Sequence, residues 1–256
     1  MHAHGGNVFR LDRHLERLRR GLVVLDIPEP PQLREWVLRA LSSAGAADDL
    51  AVRLTVTRGP GPAGVAPPPI TPPTAGPTVI VTVGGLPSVP RTVYQNGLTA
   101  RVASGCRNER STTVGFKTLG YAEAIAAFIE ARRAGADEAL FLDTESHCSE
   151  ATSSNVFVWT GHVLLTPPVS CGALPGITRG AVLELARGED IDVEERAFGL
   201  DALLGALEVF LTSSLRGVAP LVRVDGYAIG HGSPGALTHR LAAAYTSLVA
   251  AECSDC

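Results

Sequence analysis

A single lysine, Lys117, stands among the 22 basic residues of this 256-residue chain; the other 21 are arginine. A GC-rich coding bias exchanges lysine for arginine wherever only positive charge is needed. Arginine cannot replace lysine where an amine must lose its proton, because the guanidinium stays charged at every relevant pH. Schiff-base chemistry has that requirement. Lys117 sits in the string Phe-Lys-Thr-Leu-Gly-Tyr121. Three other strings carry polar groups suited to the same chemistry. Glu150 opens Glu-Ala-Thr-Ser-Ser-Asn-Val-Phe157, just before an expected strand. Leu174-Pro-Gly176-Ile177-Thr178-Arg179 stands at an expected helix N-terminus, where free N–H groups and the helix dipole suit a phosphate. Thr212-Ser213-Ser214-Leu215-Arg216 follows an expected strand and offers hydroxyl and N–H donors. Alone, each is ordinary: a surface acid, a helix cap, a polar turn. Together they supply a Schiff-base amine, a carboxylate to keep a pyridine nitrogen protonated, and a phosphate cup.

The elements that must position these groups read as a mixed α/β chain. Leu15, Leu18 and Leu22 have helical spacing, with Asp12 as the expected N-cap. A second helix is expected over 28–47. Val52, Leu54 and Val56 alternate with Arg53, Thr55 and Thr57, the pattern of a half-buried strand. Residues 60–77 hold eight prolines and read as loop. Strands are expected at 78–83 and 98–103, with a polar connection at 104–112 between two halves. A helix is expected from near Lys117 to Gly135, followed by strands at 138–142, 156–159 and 162–165. A helix opens after Gly176, and a strand at 209–211 breaks at Thr212. A hairpin turns at Asp225-Gly226. Ser233-Pro234 reads as the cap and first residue of a C-terminal helix. No internal repeat is visible.

These strings resemble the class-IV aminotransferases, the fold-type-IV pyridoxal 5′-phosphate enzymes, over nearly the whole chain. That group includes branched-chain and D-amino-acid aminotransferases and 4-amino-4-deoxychorismate lyases. The matching strings are Phe9 to Leu18, the Lys117 motif, Glu150 to Phe157, Ala173 to Arg179 and Ser213 to Pro220. The resemblance implies a two-domain fold: a small N-terminal α/β domain at 1–103, lacking its first strands, a linker at 104–112, and a larger β-barrel-like domain with helices at 113–256. It implies that Lys117 forms the Schiff base with the cofactor and shuttles the proton. Glu150 then pairs with the pyridine nitrogen and Tyr121 with the ring 3′-oxygen. Leu174 packs on the ring. Arg17, Gly176, Ile177, Thr178, Ser213 and Ser214 hold the phosphate, and Ser214 and Leu215 receive the substrate carboxylate. Burial of Lys117 among apolar groups is expected to lower its pKa.

The resemblance further implies a small-molecule amino substrate and a homodimer. The Ser-Ser-Leu-Arg-Gly-Val string leans toward the lyase, which eliminates pyruvate and releases 4-aminobenzoate; the Leu-Pro-Gly-Ile-Thr-Arg string is shared with branched-chain transaminases. A non-catalytic paralogue is the third reading. Net charge is −4, which gives no basic field for nucleic acid. No run of 18 apolar residues and no signal-peptide core is present. Five cysteines without framework spacing fit a reduced, cytoplasmic setting, and no metal site is expected.

Overall fold

The computed structural model describes residues 1–45, 49–61, 63, 64 and 76–254. Most of the proline-rich loop expected at 60–77 lies outside them, as does Cys256. The chain forms two compact units, one of Met1–Pro87 with Val249–Cys256, the other of Ser88–Leu248.

The first unit contains β1 (His2–His4), β2 (Asn7–Val8), α1 (Leu11–Val24), α2 (Leu33–Ser43), β3 (Asp49–Thr57) and β4 (Thr78–Gly85). Its sheet runs β2-β1-β3-β4, antiparallel throughout. The alternation read in β3 buries Leu50 and Val52 against Leu15, Leu33, Val37 and Leu41. Two local expectations are corrected. Asp12 is not a cap: it lies in the first turn of α1, paired with Arg34, and the capping residue Arg10 is left-handed with no side-chain cap. The second helix is shorter than 28–47, because Pro28, Pro30 and Pro31 delay it to Leu33.

The second unit adds α3 (Arg91–Asn96), β5 (Leu98–Val102), α4 (Ala122–Arg133), β6 (Glu138–Leu142), β7 (Cys148–Ala151), β8 (Asn155–Trp159), β9 (Leu164–Thr166), α5 (Ile177–Gly188), β10 (Val193–Glu195), α6 (Leu200–Leu204), β11 (Glu208–Ser213), β12 (Gly217–Val224), β13 (Tyr227–Ala228) and α7 (Ala236–Ser254). Its sheet runs β10-β9-β8-β11-β12-β5-β6-β7, and a further β7–β8 pairing closes six of these strands into a barrel. The pairs β12–β5 and β5–β6 are parallel, and the β5–β6 connection runs through α4, as a parallel crossover requires. Leu98, Leu140, Val156, Val158, Leu211 and Leu221 form part of its core. Because β5 belongs to this sheet, the units divide at Pro87 rather than within 104–112.

Two helix starts differ from the sequence reading. The helix expected near Lys117 begins at Ala122. The C-terminal helix is capped not by Ser233 but by Glu208 at the start of β11, whose carboxylate accepts from the N–H groups of Leu237 (3.0 Å) and Thr238 (2.8 Å).

Candidate active site

Lys117 lies in a series of tight turns between β5 and α4. Val114 N–H donates to Ser111 carbonyl (3.1 Å), Thr118 to Phe116 (3.0 Å) and Tyr121 to Leu119 (2.9 Å). These turns form one wall of a cavity of about 440 Å³. Lys117, Tyr121, Glu150 and Leu174 all line it. Lys117 is exposed rather than buried among apolar groups, which corrects the expectation. Its Nζ stands 5.1 Å from the centroid of the Tyr121 ring, a cation–π contact.

Glu150, on β7, lines this cavity and is fixed on two sides. Its Oε2 accepts a hydrogen bond from Leu174 N–H at 2.9 Å. Its Oε1 is 3.2 Å from Nη2 of Arg107, whose guanidinium lies 4.4 Å from the Phe141 ring centroid. Arg107 N–H donates to Leu142 carbonyl at 2.7 Å, which pins the residue to β6. Sequence reasoning missed Arg107. It lies in the stretch read as a polar connection, and nothing local distinguishes it from the other arginines.

Asn155, at the start of β8, also lines the cavity and donates through Nδ2 to Leu174 carbonyl at 2.8 Å. This fixes the chain entering α5. Gly176 is required there: a Cβ would stand 2.1 Å from Asn155 Oδ1. The first N–H groups of α5, at Ile177 and Thr178, have no intrahelical acceptor by geometry. Thr178 is buried, and its hydroxyl is 3.1 Å from that of Tyr245. Arg179, quoted in the sequence motif without a role, is buried and donates to Pro167 carbonyl (2.9 Å) and Glu195 Oε2 (2.8 Å).

The remaining named residues do not line this cavity. Gly176, Ile177 and Thr178 follow Leu174 into the start of α5. Ser213 ends β11, and Ser214, Leu215 and Arg216 form the turn into β12, with Ser213 opposite Gly217. Arg17 is on α1 in the first unit, half-buried.

An amine, a fixed carboxylate and a helix N-terminus arranged on a closed mixed β-barrel define a fold-type-IV pyridoxal-phosphate protein. The chain belongs to the class-IV aminotransferase family, whose sequence profile matches residues 1–224. It is 31% identical to a branched-chain-amino-acid aminotransferase of Salmonella typhimurium, over 98% of this chain and 82% of that protein. It is 32% identical to branched-chain-amino-acid aminotransferase-like protein 2 of Arabidopsis thaliana, over 95% of this chain but only 43% of that longer protein. Among solved structures it is similar to the T.th. branched-chain amino acid aminotransferase with pyridoxamine 5′-phosphate, at a TM-score of 0.85 and 28% identity, covering 94% of this chain and 79% of that one. It is about as similar to 4-amino-4-deoxychorismate lyase from Pseudomonas aeruginosa, at a TM-score of 0.84 and 29% identity, covering 96% and 87%.

The family's cofactor, pyridoxal 5′-phosphate, fits the residues present. Ser154 Oγ, in the cavity wall, is buried without a hydrogen-bond partner among the described residues. The orphan hydroxyl is what a polar ligand in this cavity would complete.

Proposed function

We propose that this protein catalyses pyridoxal-phosphate chemistry on an amino substrate, with Lys117 as the Schiff-base lysine and catalytic base. The observation that carries this reading is that the chain's only lysine shares one cavity with a doubly fixed carboxylate. When bound, pyridoxal phosphate supplies an electron sink conjugated to the substrate nitrogen. The chain's own groups do the rest. Lys117 Nζ would hold the cofactor. The same amine would take the α-proton from substrate and return it as the reaction requires. Glu150 keeps the pyridine nitrogen protonated, and Arg107 with the Leu174 N–H keeps Glu150 aimed. Tyr121 partners the ring 3′-oxygen, and Leu174 packs on the ring face. The α5 N-terminus at Gly176, Ile177 and Thr178, with Ser213 and Ser214, would hold the phosphate. Ser214 and Leu215 receive the substrate carboxylate.

The finer reading is 4-amino-4-deoxychorismate lyase-like elimination, which releases pyruvate and 4-aminobenzoate. Arg107, Asn108, Ser111 and Thr113 make one side of the cavity polar. Such a wall suits a substrate rich in carboxylates better than an aliphatic side chain. Transamination of branched-chain L- or D-amino acids is the second reading, favoured by the names of the curated relatives. The working form is a homodimer.

The test has two parts. After borohydride reduction, mass spectrometry of the holoenzyme locates the cofactor on a peptide containing Lys117, and Lys117→Ala abolishes both this adduct and turnover. An adduct retained in that variant overturns the assignment. Pyruvate release from aminodeoxychorismate is then compared with amino transfer from L-leucine, L-glutamate and D-alanine. Transfer without pyruvate release moves the assignment to transamination.

A further inference from the structure

The outer face of the first unit's sheet carries a cluster with no part in the chemistry above. In β1, Ala3 is 2% exposed and faces the core, so His2 and His4 point together to the opposite side. Asp49 of β3 is the register partner of His4, and its side chain lies on that same side. The Nε2 of His2 is 2.7 Å from Asp49 Oδ1, and the Nδ1 of His4 is 2.9 Å from the same oxygen. All three donor atoms lie within 4.8 Å of one another. Asp49 is partly exposed, so solvent reaches the cluster. Burial opposes ionisation of Asp49, but its hydrogen bonds with His4 and His2 outweigh burial and lower its pKa.

We propose that His2, His4 and Asp49 form a binding site for a divalent transition-metal ion, best matched by Zn²⁺. Two imidazole nitrogens and one carboxylate oxygen are the donor types Zn²⁺ takes, with bonds of ~2.0–2.2 Å. Tetrahedral bonds of that length place donors ~3.4 Å apart, so the two His–Asp contacts open by about 0.5–0.7 Å, within the reach of χ rotation. Each neutral imidazole turns a lone pair to the metal by carrying its proton on the other ring nitrogen, Nδ1 of His2 and Nε2 of His4. Partial exposure of His4 leaves the fourth position to water. A hard cation such as Mg²⁺ prefers oxygen ligands and is disfavoured by the two nitrogens. The site joins β1 to β3, so the ion would clamp these two strands together.

The test is calorimetric titration of the chelator-stripped holoenzyme with ZnCl₂. The expected result is one equivalent bound in the micromolar range, and no saturable heat from MgCl₂ at the same concentration. His4→Gln and His2→Gln each weaken the binding at least tenfold. Asp49→Asn, which preserves side-chain size, does the same and serves if a histidine variant melts early in chelator. A His147→Ala/Cys171→Ser double variant leaves binding unchanged, because Asp143, His147 and Cys171 form the only other such donor group among the described residues. Failure of the parent protein to bind Zn²⁺ overturns the proposal. So does full binding in both the His2→Gln and His4→Gln variants, or loss of binding in the double variant.

Discussion

Glu150 is held between a backbone N–H and a guanidinium, and both contacts bear on how well a carboxylate can serve a pyridine nitrogen. A carboxylate free to rotate would meet that nitrogen part of the time; one fixed by Leu174 and Arg107 is preorganised. Glu150→Gln keeps the shape and removes the charge. It should lower kcat by about a hundredfold with a small change in cofactor affinity, measured by steady-state assay and by fluorescence titration of the cofactor. Lys117 was legible in the sequence because its rarity in an arginine-rich chain isolates it. Its exposure was not, because the turns from 111 to 121 are set by local hydrogen bonds with no hydrophobic period. Arg107 was illegible for a related reason. Its role comes from Phe141 and Glu150, distant in the sequence and brought to it only by the fold.

At the level of elements, α5 matters because its N-terminus is where a phosphate would sit. Its position depends on Arg179, which ties the first turn to Pro167 and to Glu195 of β10. Arg179→Met should cost about 1–3 kcal/mol of stability, measured by urea melts, since it leaves the Pro167 carbonyl without its partner and removes one of the two arginines on Glu195. Glu195 is 39% exposed, so solvent screening keeps the loss from being larger. The Arg179 hydrogen bond lowers the pKa of Glu195 below its usual 4.5. Its folded pKa is therefore below the unfolded one. The stabilisation is complete above the unfolded value and disappears as pH falls through the folded value. The difference in stability between the parent and Glu195→Gln should thus shrink below about pH 4.5, as followed by urea melts across that range. Strand β3 and the boundary at Gly176–Ile177 were plain in the sequence, because alternation and a Pro-Gly step are local signals. The cap on α7 was not, since Glu208 reaches it from 29 residues earlier.

For the whole molecule, the distribution of size on α4 is informative. Ala124, Ala127 and Ala131 face inward, while Ile125, Phe128 and Ile129 stand 56%, 39% and 43% exposed. A helix with its small residues inward and its large apolar residues outward needs a further surface to cover it. A second copy of this chain is the proposed cover, in keeping with the proposed homodimer. Phe128→Glu should convert the dimer to monomer in light scattering while leaving the circular dichroism of the fold unchanged. A parent protein that is monomeric at micromolar concentration would refute this. The small and the large apolar residues of α4 could be counted in the sequence. Which one turns inward depends on Phe141 and Ala139 of β6, against which the three alanines pack.

The barrel closes where β7 meets β8, through a single register pair, Glu150 opposite Asn155. Thr152, Ser153 and Ser154, in the turn joining these strands, all face the cavity. The least-zipped seam of the sheet is thus also the place where a bound ligand would touch it. Occupancy and closure then share one free energy, and each stabilises the other. Amide hydrogens from 150 to 156 should exchange rapidly in the cofactor-free protein and slow by at least tenfold on adding pyridoxal phosphate, with those of β11 and β12 changing far less. The barrel would then behave like a clasp fastened by its own cargo.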